Sequence, residues 1–167
     1  MRHIAQILIL LTLCALITAC GFRPMHSTAS KAALADIKIE LEGGDELVDE
    51  QAGFFVVQRL QDRIGTASAA KHILKITPDA RRRQIGLTDQ DVATRYDTSL
   101  VMKYELTDAA NGKVLDKGRV ESITTFGAPF DPYGVVSADN FSKQQAAKEV
   151  ADRLLNTLAT YYAKAGG

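Results

Sequence analysis

The sequence predicts an α+β domain: two helices packed on one face of a small, mostly antiparallel four-stranded sheet, in the order strand-helix-strand-strand-strand-helix. Three observations predict it. An alternating segment at Ile37, Ile39 and Leu41 gives way to helical spacing over residues 46–64. Two long alternating segments flank Asn111-Gly112, a pair that favours a tight hairpin turn. The chain then closes on an apolar stripe of helical period, Val150, Ala151, Leu154, Leu155, Leu158 and Tyr161.

Each element has its own local reason. Residues 32–41 read as a half-buried strand, because Lys38 and Glu40 separate the apolar positions. Gly43 and Gly44 break it, and Asp45 is placed to cap the helix that follows. In that helix Leu47, Phe54, Val57, Leu60 or Gln61, and Ile64 form the expected apolar stripe. Acidic residues sit in its first turns, Arg59 and Arg63 lie near its end, and Gly65 stops it. Residues 72–76 read as the second strand, limited to an edge or boundary by Pro78, which has no N–H to donate. Residues 85–91 read as a polar turn.

Residues 92–108 form the third strand, with Thr98, Leu100, Met102, Tyr104 and Leu106 on one face. Residues 114–125 return as its partner, with Val120, Ser122 and Thr124 on one face and Arg119, Glu121 and Ile123 on the other. Residues 126–140 contain two Gly and two Pro and read as a loop. Ser142 is the expected cap of the final helix, which runs to about residue 163.

Composition bounds the function. The 167 residues, 46% apolar and 24% charged, suit one globular domain with a real core. Twenty basic side chains balance twenty acidic ones, which argues against a bulk nucleic-acid binder. Two cysteines and no Trp give no disulfide framework.

The first residues are a processing signal. Arg2 and His3 precede an apolar run over residues 7–17, too short to span a bilayer but right for a secretory leader. Ile17-Thr18-Ala19-Cys20 resembles the lipobox of bacterial lipoproteins. That resemblance implies cleavage before Cys20, diacylglyceryl attachment to its thiol and acylation of the new amine. Two or more acyl chains hold a protein on a bilayer where one does not. Gly21 stands where an Asp would signal inner-membrane retention, so the resemblance implies the outer membrane, facing the periplasm. The organisation expected is a signal peptide over 1–19, a lipidated tether over 20–31 and one domain over 32–167. The alternative is an ordinary leader, with Cys20 a core thiol.

Catalytic chemistry finds little support. His26 lies in the tether and His72 begins a strand, so no ligand cluster for a metal forms, and no cofactor is expected. No G-x-S-x-G elbow or phosphate-cradling Gly-rich loop occurs, and His72 reads as structural. Asp89 and Asp91 fit a solvated turn better than an acid–base pair. The expectation is a protein that is not an enzyme. The basic residues carry more information. Arg81, Arg82 and Arg83 are adjacent, and guanidinium groups bind phosphate bidentately. A charge block that protects a sheet edge from aggregation explains the triplet equally well.

Cys20-Gly21-Phe22-Arg23-Pro24 at the lipobox resembles the start of the LPS-assembly lipoprotein family, LptE. Ala93-Thr94-Arg95-Tyr96, leading into residues 100–106, and Gly112-Lys113-Val114-Leu115 continue the resemblance. A loop and a final helix containing Ala151-Asp152-Arg153-Leu154 complete it. Residues 126–136 depart from the simpler Tyr-containing segment of that family. The resemblance implies an outer-membrane lipoprotein that plugs the β-barrel LptD, assists its assembly and contacts lipopolysaccharide on its way to the cell surface. Arg119 matches the place where the family keeps a basic residue linked to lipopolysaccharide. Arg81, Arg82 and Arg83 join it as candidates on charge alone. A lipid-anchored module for peptidoglycan or another envelope protein is the alternative.

Overall fold

The computed structural model describes residues 33–43, 47–67, 69–86, 95–128 and 131–165. The leader, the tether with Cys20, the Asp45 cap and the start of the third predicted strand lie outside the described residues. A helical turn over residues 33–35 leads into β1 (Ile37–Leu41). There follow α1 (Leu47–Ile64), β2 (His72–Gln84), β3 (Arg95–Asp108), β4 (Val114–Gly127) and α2 (Pro132–Ala165).

The sheet order is β1-β2-β3-β4. β1 runs parallel to β2, with α1 as the crossover that parallel neighbours need, and the other pairs are antiparallel. Both helices cover one face. On that face Leu74 and Ile76 of β2, and Leu100, Met102 and Leu106 of β3, meet Val56 and Leu60 of α1 and Val150, Leu154 and Leu158 of α2, all fully buried. The alternation expected for β3 and β4 therefore holds: Thr98 and Ser122 turn toward the helices, Arg119 and Ile123 away. The hairpin turns with Gly112 at φ 69°, and its N–H reaches the Asp108 carbonyl at 2.9 Å.

Four local expectations are corrected. β1 begins at Ile37, five residues after the expected start, because the helical turn before it buries Leu34. β2 runs through Pro78 to Gln84, taking in all three arginines, and does not stop at residue 76. The Ile76 carbonyl accepts the Glu42 N–H at 2.9 Å, so even-numbered β2 residues turn their backbone toward β1. β1 ends at Leu41 opposite Ile76. Pro78 thus meets an open edge, where a missing donor costs nothing. The next even-numbered donor, Ala80 N–H, is taken by the buried Asp49 carboxylate of α1 at 2.6 Å.

The stripe of α1 is rotated from the one expected. Ala52, Val56 and Leu60 are buried, while Phe54 is 60% exposed. A Cβ at Gly53 would lie 2.8 Å from Leu41 and 3.0 Å from Pro78. Small residues face the sheet because the backbones approach closely there, and bulk is turned outward. Gly65, with φ 78°, ends the helix as expected.

The fourth correction concerns residues 126–140. β4 extends to Gly127 and α2 starts at Pro132, so most of the expected loop is helix, and Ser142 is buried within α2. Asp131 is the cap: its Oδ1 accepts the Gly134 N–H at 2.7 Å, and Pro132 occupies the first helical position.

Candidate functional site

Among the described residues one face of the sheet carries no helix, and its side chains follow from register. Odd-numbered residues of β2, β3 and β4 point to it: Lys75, Asp79, Arg81 and Arg83; Asp97, Lys103 and Glu105; Lys117, Arg119 and Glu121. Lys103 and Arg119 are direct cross-strand partners and both are exposed. Their backbones turn away from each other, so this is a pair without mutual hydrogen bonds, the kind whose side chains stand closest. Like charges placed so repel each other. Among the described residues no carboxylate forms an ion pair with Lys103, Lys117 or Arg119.

Beside this pair lies an open groove of about 530 Å³ bounded by Glu42, Lys75, Thr77, Lys103, Glu105 and Lys117. Lys75 pairs with Glu42 at 2.9 Å, and that hydrogen bond and charge hold the ammonium's pKa above its ordinary value. Tyr104 and Gly118 also line the groove. On the helix side the Tyr104 ring lies against Gly118, where a Cβ would meet it at 3.0–3.2 Å. The Tyr104 hydroxyl donates to Asp116 at 3.1 Å. Burial first, then that carboxylate, pushes the phenol up to about 12.

Alternation divides the arginine triplet. Arg81 pairs with Asp79 at 2.9 Å and Arg83 with Asp97 at 3.5 Å, both on the open face. Arg82 points to the helix side, where it lies 5.2 Å from the Tyr96 ring centre and 3.5 Å from Asp139 of α2. Lys143 reaches the same carboxylate at 2.8 Å. Arg82 thus ties the first turns of α2 to the sheet, whereas Arg119 stands with Lys103 and not with the triplet. Lys103 is the residue that charge and order alone did not pair with Arg119. Counting outward from the Asn111-Gly112 turn would approach that pairing, but a bulge at Leu106/Thr107 shifts the register.

His72 accepts or donates one side-chain hydrogen bond, with the Tyr162 hydroxyl at 3.0 Å from Nδ1. Among the described residues its side chain forms no hydrogen bond or ion pair with a serine or carboxylate, although Asp108 is its cross-strand partner. Cys20 lies outside the described residues.

No protein-family model matches the sequence, and no curated protein matches it significantly. Solved structures do. A Caulobacter crescentus protein described as a lipoprotein is 25% identical, with a TM-score of 0.68 over 81% of this chain and 96% of that one. Rare lipoprotein B of Shewanella oneidensis is 14% identical, with a TM-score of 0.58 over 78% and 99%. A minor lipoprotein of Acinetobacter baumannii is 9% identical, with a TM-score of 0.56 over 74% and 90%. The chain shares its fold with bacterial lipoproteins.

Proposed function

We propose that this protein is a lipid-anchored outer-membrane lipoprotein of the LptE type. It acts by binding: it plugs the translocon barrel LptD, assists its assembly and passes lipopolysaccharide toward the cell surface. The anchor rests on Cys20 in its lipobox-like setting, and the fold shared with bacterial lipoproteins supports it. The observation that carries the binding role is the sheet face that no described helix covers, with Lys103 and Arg119 opposed and no ion-paired carboxylate among the described residues. A phosphate-bearing lipid would relieve that repulsion, since one anionic group accepts hydrogen bonds from both cations.

The test is affinity capture from native outer membranes with identification of the partners. The expected result is a β-barrel near equal stoichiometry, with loss of surface lipopolysaccharide on depletion. Recovery of the protein alone overturns the reading, and recovery of peptidoglycan or another envelope protein replaces it. Arg119→Asp should weaken lipid A binding in a salt-sensitive way and leave the fold intact, because an exposed strand charge contributes little to stability. Unchanged binding removes Arg119 from the site.

A further inference from the structure

Two close cross-strand pairs stand side by side on the open face. Lys103 opposes Arg119, and two residues further along the same strands Glu105 opposes Lys117. Ile85 N–H donates to the Arg95 carbonyl across β2 and β3, so odd-numbered β3 residues turn their backbone toward β2 and away from β4. Both pairs therefore lack mutual hydrogen bonds, the arrangement in which opposed Cα atoms lie about 4.5 Å apart. From the β2 side Lys75 opposes Glu105, and Thr77 opposes Lys103. All of these except Arg119 line the groove. Glu105 is half-buried, and among the described residues it forms no ion pair with the lysines around it. Lys75 turns instead to Glu42 at 2.9 Å.

A carboxylate in this place works against a bare phosphate. It stands one residue pair from the two cations that would hold the phosphate, and like charges at that range repel. A hydrogen-bond donor on the ligand, next to its phosphate, would turn that cost into a contact. The surrounding charges say which donor. Lys75 and Lys117 flank Glu105 across the strands and Lys103 precedes it on its own strand face, so a ligand ammonium would meet three cations. A hydroxyl is neutral, and a carboxylate accepts it in a charge-assisted hydrogen bond. Thr77, across from Lys103, offers a second polar position for a hydroxyl in the same groove.

We propose that Glu105 sets the specificity of this site by accepting a hydroxyl of a phosphorylated sugar whose phosphate Lys103 and Arg119 hold, with Thr77 meeting a second hydroxyl. The inference rests on the reading of this face as a lipopolysaccharide-binding surface. It names the residue that tells such a lipid from an ordinary phospholipid.

The test uses the full lipidated chain in detergent micelles and reads displacement of a fluorescent lipid A. The competitors are unlabelled lipid A, phosphatidic acid, which carries a phosphate without a sugar, and phosphatidylethanolamine, which sets an ammonium beside it. In the unaltered protein lipid A should compete on the order of tenfold better than either phospholipid. Glu105→Ala should weaken lipid A by about tenfold and tighten phosphatidic acid by roughly threefold. The opposite signs are the signature, because loss of charge alone would tighten both lipids and damage to the sheet would weaken both. Glu105→Gln keeps the side-chain shape and one acceptor oxygen, so it should tighten phosphatidic acid as much and weaken lipid A less. Thr77→Val should weaken lipid A and leave phosphatidic acid unchanged. Glu105 variants that move the two lipids in the same direction, or move neither, overturn the proposal. So does a phospholipid that competes as well as lipid A in the unaltered protein. Lipid A binding that falls with Arg119→Asp but not with Glu105→Ala keeps the functional reading and removes this inference, whereas binding indifferent to Arg119→Asp removes both.

Discussion

Replacing Asp49 with Ala removes the acceptor that closes the sheet where β1 runs out. The Ala80 N–H faces the edge beyond Leu41, is buried beneath α1, and finds the Asp49 carboxylate at 2.6 Å. A buried donor stranded without a partner costs roughly 1–3 kcal/mol, and a hydrogen bond to a charged acceptor contributes about 1.5–3. Loss of an acidic charge from the first turn of α1 adds a few tenths to about 1 kcal/mol through the helix dipole. These overlap, and the expected destabilisation is about 2–3 kcal/mol. With a urea slope of roughly 2 kcal/mol per molar, the unfolding midpoint falls by about 1 M at unchanged slope. Asp49→Asn keeps an oxygen in place and should cost about half as much. Glu50→Gln, exposed in the same turn, isolates the dipole contribution and should shift the midpoint by roughly a quarter as much or less. An Asp49→Ala shift no larger than that of Glu50→Gln would refute the edge-closing role.

Leu154→Ala, at the centre of the helix–sheet core, should cost about 2–5 kcal/mol by equilibrium unfolding. Gly118→Ala should destabilise by about 1–3 kcal/mol because its Cβ presses on the Tyr104 ring, and the double variant with Tyr104→Leu should recover part of the loss. The Tyr104 phenol is raised from 10 to about 12 in the folded state, so the folded form binds its proton more tightly. Its stabilising contribution is complete below pH 10 and is lost as pH rises to about 12. Tyr104→Phe should flatten the decline in stability across that window, measured by urea unfolding at each pH. Asp131→Ala removes the α2 cap and should cost about 1 kcal/mol, with faster hydrogen exchange confined to the first turns of α2.

Much of the fold was legible because strand and helix periods are written in adjacent residues. The β3 and β4 faces, the Gly112 turn and the Gly65 stop all follow from local pattern, whereas the parallel pairing of β1 with β2 does not. The cap of α2 was misplaced at Ser142. Asp131-Pro132 is a helix-start signal, and the low helix propensity of Gly134, Val135 and Val136 obscured it. The candidate site was legible only in part. Placing Arg119 on a strand opposite in facing to Val120 and Ser122 required nothing but alternation.

Local pattern alone sets the fold class, the balance of charge and the lipobox-like setting of Cys20. Tertiary structure decided which charges stand alone. The acids that answer Arg82 and Arg83 lie on α2 and β3, and the carboxylate that allows β2 to pass through Pro78 comes from a helix 31 positions away from its donor. It also decided that Phe54 turns outward, because Gly53 must let α1 approach Leu41 and Pro78. Periodicity reports how a segment repeats along its own axis. It holds no information about which distant side chain, or how close a backbone, meets each position when the segments pack.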